Sequence, residues 1–331
     1  MKKWLSMFFA VALLAASVTG CSSPAPTTEA PEGSEAPADG KYKVAYVARA
    51  QADSFAAWLA NAVKEESEKY DNMTVDIFDG QASDDTENSL IENAIANKYD
   101  LIIIQPNNGE AQRPYAEKAI AAGIKVITTN ARISGIEGAS SVDADPYKQA
   151  QVNAELAVEK VPQNANVVIL KGPPGNFHAD ERYKSWQKEF FEKRPDVTIV
   201  GEEIANWNKD EAMTYMETWM QANKKIDAII SMNDNMAAGA LEAVKDKPEF
   251  AEIQAYGVDG TAEACLLIKD GKMTSTSLQS AYDLATALMD TSNKLLTGEE
   301  TQIDVDIDCP LITPDNVDQY IEMHKKAGAI N

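Results

Sequence analysis

The sequence is short of positive charge. Its 331 residues include 30 Lys and Arg against 52 Asp and Glu, which gives a formal net charge of −22 at pH 7. A protein that binds duplex nucleic acid needs a basic face to neutralise phosphates, and anionic lipid attracts basic segments for the same reason. The balance therefore argues against a nucleic-acid partner and against docking on an anionic membrane by charge alone.

Residues and motifs of several common catalytic sites are also rare or missing. The chain has 2 histidines, His178 and His324, and no H-E-x-x-H pattern, so a catalytic zinc site is not expected. Neither a glycine-rich phosphate loop nor a G-x-S-x-G elbow occurs, which weighs against nucleotide binding and serine hydrolysis. Asp143-Ala144-Asp145 begins like a calcium loop but lacks the later ligands and the turn glycine, so we interpret it as a turn. We predict neither an enzyme nor a metal site.

Cysteine is scarce, and the first of the 3 cysteines follows a leader-like segment. Met1-Lys2-Lys3 precedes an apolar run from Trp4 to Val18, which is typical of a secretory signal and too short for a comfortable membrane span. Small residues directly before Cys21 resemble a bacterial lipobox, in which the cysteine is lipidated and becomes the mature N-terminus. We predict a signal peptide over 1–20 and lipidation at Cys21. An ordinary signal peptide with an incidental cysteine is the alternative.

The segment after Cys21 has no apolar periodicity. Residues 22–40 are Ser, Thr, Ala, Pro, Glu, Asp and Gly, which cannot bury enough surface to offset the entropy of ordering. We therefore predict a lipid anchor and disordered tether over 21–40. Cys265 and Cys309 remain, and an extracytoplasmic site permits a disulfide between them. Their separation in sequence shows nothing about distance, and free thiols are the favoured interpretation.

From Lys41 onward, short apolar runs alternate with segments of helical spacing. The runs are Val44–Ala48, Val75–Phe78, Leu101–Ile104, Lys125–Thr128, Val167–Leu170, Thr198–Val200, Ala228–Met232 and Ile253–Tyr256. Such alternation is typical of parallel βαβ units. Eight strands divide into two groups of four, with the break at 131–165, where glycines and Pro146 interrupt the pattern.

Polar and aromatic residues follow the predicted strands. They include Arg49 to Phe55, Asn130 to Arg132, Asn176 to His178, Trp207, Asn233 and Asp259. Ligands of open α/β sheets bind at the carboxyl ends of strands. Amides and carboxylates form hydrogen bonds with hydroxyl groups, and aromatic rings cover the C–H faces of a pyranose. A polyhydroxylated ligand is the expectation.

Three motifs resemble the periplasmic sugar-binding proteins of ABC transporters, of the ribose and galactose type. They are Val168 to Gly175 with Arg182 seven residues later, Met232 to Ala240, and Tyr256 to Gly260. The likeness runs from about Lys41 to the end and is strongest to the galactose/glucose-binding members. It implies an α/β fold of two Rossmann-like lobes with parallel sheets, joined by three hinge crossings. The implied lobes are 41–145 plus 281–308, and 146–280 plus 309–331.

The resemblance also implies a set of ligand-binding residues. Phe55 and Trp207 match the two stacking aromatics. Hydroxyl partners are implied at Asp53 and Asn130 in the first lobe, and at Arg182, Asn233 and Asp259 in the second. Asn176, His178 and Gln279 stand where the galactose type has a ligand His, Asp and Asn, which leaves the sugar open. Arg132 is a further candidate, since ribose-type members carry an arginine beside the residue that matches Asn130.

Some of these residues have a plain structural interpretation as well. Asn233 and Asp234 precede a predicted helix, and we expect Asp234 to cap it and Asn233 to bind the ligand. For His178, contact with the ligand and a position at the rim of the site are about equally favoured. Trp58, Trp186 and Trp219 are expected to pack in the core.

We therefore predict a monomeric, extracytoplasmic, lipid-anchored solute-binding protein that needs no cofactor. It delivers a monosaccharide to an ABC permease, with a hexose such as glucose or galactose favoured and ribose or inositol as alternatives. The resemblance implies no calcium, because the calcium loop of the galactose type has no counterpart between Ala157 and Val167. A sugar sensor for a chemoreceptor or kinase is a second hypothesis. A sugar-converting enzyme using Asp53, His178 or Asp259 is a third.

Overall fold

The computed structural model describes residues 40–330. The predicted signal peptide, the lipidation of Cys21 and the tether up to residue 39 lie outside the described residues. Within 40–330, none of the helices combines the length and apolar character that a membrane crossing requires.

The strands form two sheets of six. Their bounds are β1 Tyr42–Ala48, β2 Met73–Asp79, β3 Leu101–Ile104, β4 Lys125–Thr129, β5 Ala139–Ala144, β6 Asn166–Lys171, β7 Thr198–Ile204, β8 Ala228–Ser231, β9 Gln254–Asp259, β10 Ser275–Leu278, β11 Asp304–Ile307 and β12 Leu311–Ile312. The first sheet has the order β11-β5-β4-β3-β1-β2 and is parallel throughout. The second has the order β12-β10-β9-β8-β6-β7 and is parallel except for β12.

Helices cover the sheets and define two lobes. They are α1 Ser54–Ser67, α2 Asp84–Ala96, α3 Gly109–Ala121, α4 Pro146–Lys160, α5 Phe177–Trp186, α6 Lys209–Ala222, α7 Asp234–Val244, α8 Ala262–Lys269, α9 Ala281–Leu296 and α10 Val317–Lys326. Helix α9 packs on the first sheet, whereas α4 and α10 join the core of the second. The chain therefore passes between the lobes three times, after β5, before α9 and after β11, which confirms the predicted α/β architecture of two lobes.

Most helices begin with a polar side chain that accepts a hydrogen bond from a backbone N–H of the first turn. The capping residues include Asp53, Ser83, Asn108, Asp145, Asn176, Asn208, Asn233, Thr261 and Ser280. Because each follows the carboxyl end of a strand, the caps crowd the edges of the sheets where ligands bind in this architecture.

The predicted break at 131–165 is wrong, because β5 and α4 occupy most of it. Strand β5 reads Ala-Ser-Ser-Val-Asp-Ala, so Val142 is its only large apolar residue, yet every position is buried. Asp143 lies within this strand and Asp145 caps α4, which replaces the predicted turn with a strand-to-helix junction. Cys265 and Cys309 are buried free thiols, as favoured from the sequence.

The three tryptophans expected in the core pack as predicted. Trp186 and Trp219 are buried in the second lobe, where Trp186 meets Tyr256 edge-on. Trp58 of α1 is half-buried, and its ring centroid lies 5.1 Å from that of His324 of α10. This last contact joins the two lobes.

Candidate functional site

One cavity is lined by residues at the carboxyl ends of strands from both sheets. Its lining comprises Arg49, Asp53, Phe55, Asn130, Asn176, His178, Arg182, Trp207, Asn233, Asp259 and Gln279. The space among these side chains amounts to about 310 Å³ and includes the part that opens to solvent. Every predicted site residue except Arg132 is among them. Their roles toward a ligand stay predictions.

Two buried aromatic side chains, one from each lobe, border the cavity. Phe55 is the second residue of α1, and Trp207 lies in the loop after β7 with a φ of 62°. The indole ring packs directly on the backbone of Gly172, where an added Cβ would lie 2.2 Å from the ring. The Arg182 guanidinium lies 5.6 Å from the centroid of the same ring. These neighbours fix the plane of Trp207.

The polar groups of the first lobe are held by hydrogen bonds that leave part of each side chain toward the cavity. Asp53 caps α1 by accepting from Ala56 N–H at 2.8 Å, and its other oxygen lies 2.7 Å from Arg49 Nη2. Asn130 has a φ of 47° and accepts from Gln105 Nε2 at 2.7 Å through Oδ1. Among residues 40–330, no acceptor is recorded for Asn130 Nδ2, so this donor is available to a ligand.

Arg182 is the centre of the polar network in the second lobe. It is 2% exposed. Its Nε donates to Gln149 Oε1 at 2.9 Å, Nη1 donates to the Met232 carbonyl at 2.8 Å, and Nη2 reaches Gln279 Oε1 at 3.3 Å. Gln149 Nε2 also donates to Gln279 Oε1 at 2.7 Å. Gln279 Nε2 is thereby left to face the cavity as a donor.

Asp259 is the acidic counterpart of Arg182. It ends β9 with a φ of 122° and is 2% exposed. Its Oδ1 lies 3.6 Å from Arg182 Nη2, beyond hydrogen-bond range, and within the described part of the chain no donor to the carboxylate is recorded. Burial raises the pKa of Asp259 well above its ordinary value, while Arg182 opposes the rise. Such a carboxylate is poised to accept hydrogen bonds from ligand hydroxyls.

Asn176 and Asn233 line the cavity and also cap helices. Asn233 Oδ1 accepts from Met236 N–H at 2.9 Å, so the expectation that Asp234 caps this helix is wrong. Asp234 instead accepts from Thr276 Oγ1 at 2.6 Å and Thr261 N–H at 2.8 Å, and burial raises its pKa to about 7. Asn176 Oδ1 caps α5 by accepting from Ala179 N–H at 3.2 Å.

Two side chains of the second lobe form hydrogen bonds to the first. Asn176 Nδ2 donates to the Asn107 carbonyl at 3.3 Å, and His178 Nε2 lies 2.9 Å from Asp143 Oδ1 of β5. With the cavity between them, these contacts show that the lobes are closed on each other in this structure.

Arg132 lies outside the cavity lining. Its Nη2 pairs with Asp306 of β11, and its Nε is 3.6 Å from Asp143 Oδ2, which draws the side chain away from the site. Conversely, Arg49 lines the cavity without being among the predicted ligand-binding residues, although it begins the segment that follows β1. Asp143 and Gln149 were also missed, because they fall in the stretch interpreted as a break.

Comparisons with known proteins agree with this architecture. The family profile described as a periplasmic binding protein domain matches residues 44–300. The ribose import binding protein of Bacillus subtilis is 26% identical over 302 residues, covering 91% of this chain and 96% of that protein. A D-apiose import binding protein of Actinobacillus succinogenes is 30% identical, covering 70% and 75%.

Solved structures show the same likeness. An ABC transporter solute-binding protein from Bacillus halodurans with bound myo-inositol superimposes with a TM-score of 0.79 at 26% identity, covering 86% of this chain and 99% of that chain. The special likeness to galactose/glucose-binding members stays a prediction. The fold, the closed lobes and the matched profile agree with one another. The chain therefore belongs to the periplasmic binding protein domain family, in the type I group whose sugar-binding members serve ABC transporters.

Proposed function

We propose that this protein captures a monosaccharide or a polyol of similar size between its lobes and delivers it to an ABC permease. The preference for a hexose such as glucose or galactose rests on the sequence resemblance. Relatives named for ribose, D-apiose and xylitol, and the structure with bound myo-inositol, extend the candidates to pentoses, alditols and cyclitols. Proteins of this family bind and release solutes without converting them.

The composition of the cavity lining is the observation that carries the proposal. Asp53 and Asp259 offer acceptors to ligand hydroxyls, whereas the amides of Asn130, Asn233 and Gln279 offer donors. Phe55 and Trp207 supply apolar surface for the C–H faces of a sugar. Side chains of both lobes meet around this small space, which suits one sugar unit better than an oligosaccharide.

Delivery follows from closure of the lobes. A ligand that contacts both lobes favours the closed state, and hinge closure of this kind is known for periplasmic binding proteins as a class. We propose lobe boundaries of 41–145 plus 281–308 and 146–280 plus 309–331. We also propose that lipidated Cys21 anchors a monomer outside the cytoplasmic membrane, where the tether raises its effective concentration at the permease.

A thermal-shift panel tests the ligand class. We expect at least one of D-glucose, D-galactose, D-ribose, xylitol and myo-inositol to raise the melting temperature by roughly 5 °C, because a ligand at about 100 times its Kd adds ~2.7 kcal/mol to the native state. Maltose, a disaccharide, serves as a negative control for the proposed preference for one sugar unit. A flat response to every member of the panel would contradict the proposed function.

Gly172→Ala tests the position of the Trp207 ring without touching a ligand-facing group. The new methyl would lie 2.2 Å from the indole, so the ring must shift in its cavity wall. We expect affinity for the sugar found in the panel to fall by about tenfold or more, as overpacking costs ~1–3 kcal/mol. Gly109→Ala is the matched control, because its Cβ meets its nearest neighbour at an ordinary 3.7 Å. Unchanged affinity in Gly172→Ala, measured by calorimetry, would show that Trp207 does not contact the ligand.

A further inference from the structure

His178 lies between a carboxylate of one lobe and a guanidinium of the other. Its Nε2 is 2.9 Å from Asp143 Oδ1, which belongs to β5 of the first sheet. Its Nδ1 is 3.2 Å from Nη2 of Arg182, one turn further along α5 in the second lobe. The side chain is 3% exposed although its ring borders the cavity.

These two partners fix the protonation of the ring. A carboxylate only accepts hydrogen bonds, so Nε2 must carry the hydrogen that it shares with Asp143. A guanidinium only donates, so Nδ1 must keep a free lone pair toward Arg182. The geometry therefore requires a neutral imidazole in a single tautomer. Both nitrogens are occupied, so His178 has no donor or acceptor left for a ligand.

The charged surroundings of His178 favour the same state. Asp143 of β5 and Arg132 of the β4–β5 loop face it from the first lobe, and Arg182 faces it from its own helix. Burial lowers the pKa of His178; Asp143 opposes this, while Arg182 and Arg132 add to it. Burial alone would raise the pKa of Asp143, but its electrostatic interaction and hydrogen bond with His178, together with the charge of Arg132, hold the pKa below the usual value. Asp143 thus stays ionised in mild acid.

We propose that His178 is a positioning residue, which fastens the closed lobes through Asp143 and aims Arg182 at the cavity, and that sugar binding is therefore sensitive to mild acid. This inference rests on the proposed function and assigns His178 a different role from the predicted ligand contact. It also means that Asp143 accepts a hydrogen bond that holds the lobes closed, and that Arg132, which lies beside Asp143, supports this contact.

The direction of the pH effect follows from the linkage between closure and protonation. When the lobes separate, His178 meets water and its pKa returns toward about 6.5. Closure then demands a neutral ring, so below that pH each binding event must release a proton. The affinity for the sugar is highest above about pH 7.5. It falls as the pH drops, by about tenfold between pH 7.5 and 5.5.

His178→Gln separates this role from simple packing. A glutamine amide offers one donor to Asp143 and one acceptor to Arg182, yet it does not titrate. Calorimetric titrations use the sugars and polyols of the thermal-shift panel, D-glucose, D-galactose, D-ribose, xylitol and myo-inositol, as probes at about pH 7.5 and about pH 5.5. We expect the wild type to lose about tenfold in affinity for the bound probe on acidification, with proton release seen in buffers of different ionisation enthalpy. His178→Gln should bind at both pH values with little change, and His178→Ala should bind weakly at both.

His324→Gln is the matched control, because His324 is the other buried histidine at a contact between the lobes, but its Nε2 bonds the Gly260 carbonyl of its own lobe, a partner that opening does not remove. It should keep the acid sensitivity of the wild type. A probe that binds the wild type equally at both pH values overturns the inference alone, as does acid sensitivity that survives in His178→Gln or disappears in His324→Gln. If no probe binds the wild type at the higher pH, the proposed function is contradicted and the inference is withdrawn with it.

Discussion

Asp259→Asn should weaken sugar binding by roughly 30- to 1,000-fold and leave the sugar-free protein at least as stable as the wild type. The carboxylate is buried beside the cavity with no hydrogen-bond donor recorded within the described residues. Ligand hydroxyls would be its main partners, and losing charge-assisted hydrogen bonds to them costs about 2–4 kcal/mol. Asparagine has nearly the same shape and tolerates the positive φ of this position.

The raised pKa of Asp259 explains why Asp259→Asn should not lower the stability of the sugar-free protein. An acid whose folded pKa exceeds its unfolded value of about 3.9 destabilises the fold as the pH rises above that value. The penalty is present at neutral pH, and a neutral amide removes it. Calorimetry and urea unfolding measure the two effects separately. Asp270→Asn, an exposed change in the same lobe, should alter neither. Retained affinity, or a clear loss of stability without sugar, would contradict this account of Asp259.

Arg182→Met should cost about 3–5 kcal/mol of folding free energy and abolish sugar binding. The guanidinium supplies Gln149, Gln279 and the Met232 carbonyl with hydrogen bonds. Its removal leaves these acceptors short of a donor in a buried site and deprives Asp259 of its neighbouring cation. Methionine keeps most of the apolar stem, so the loss reports mainly on the polar network.

Urea unfolding followed by circular dichroism measures the loss of stability in Arg182→Met. Lys184→Met on the same helix is the control, since Lys184 is exposed, and it should stay within about 0.5 kcal/mol of the wild type. The double variant Arg182→Met/Asp259→Asn should recover more stability than Asp259→Asn adds to the wild type, because it no longer buries an unpaired carboxylate. A double variant whose change in stability equals the sum of the two single changes would show that the two side chains do not interact.

The strands that could be predicted from the sequence are those with runs of large apolar residues. Central parallel strands such as β3 are covered on both faces and therefore read as continuous apolar stretches. Strand β5 could not be found this way, because small and polar side chains fill its buried positions. Its neighbour β11 comes from 163 residues away, as the Ser141–Asp304 hydrogen bond shows. No local sequence pattern predicts the pairing of β5 with β11.

The lining of the cavity was largely predictable, since strand ends and family motifs mark most of its residues. The predictions that were wrong or missing concern residues whose positions depend on contacts between distant parts of the chain or on exact register. Arg132 turns toward Asp306, which is 174 residues away in sequence. The partnership of Asp143 with His178 exists only once the lobes meet. The choice between Asn233 and Asp234 as the helix cap depends on a one-residue register that composition does not encode.

The double use of helix caps has a consequence for how this site can change over generations. Asp53, Asn176 and Asn233 each hold the start of a helix with one oxygen and also line the cavity. Helix starts accept Asn, Asp or Ser almost equally well. An exchange such as Asn233→Asp therefore swaps a donor for an acceptor in the site and keeps the helix. Ligand preference is thereby open to single-step evolutionary drift at little risk to folding, which suits a scaffold whose relatives carry names of many different sugars.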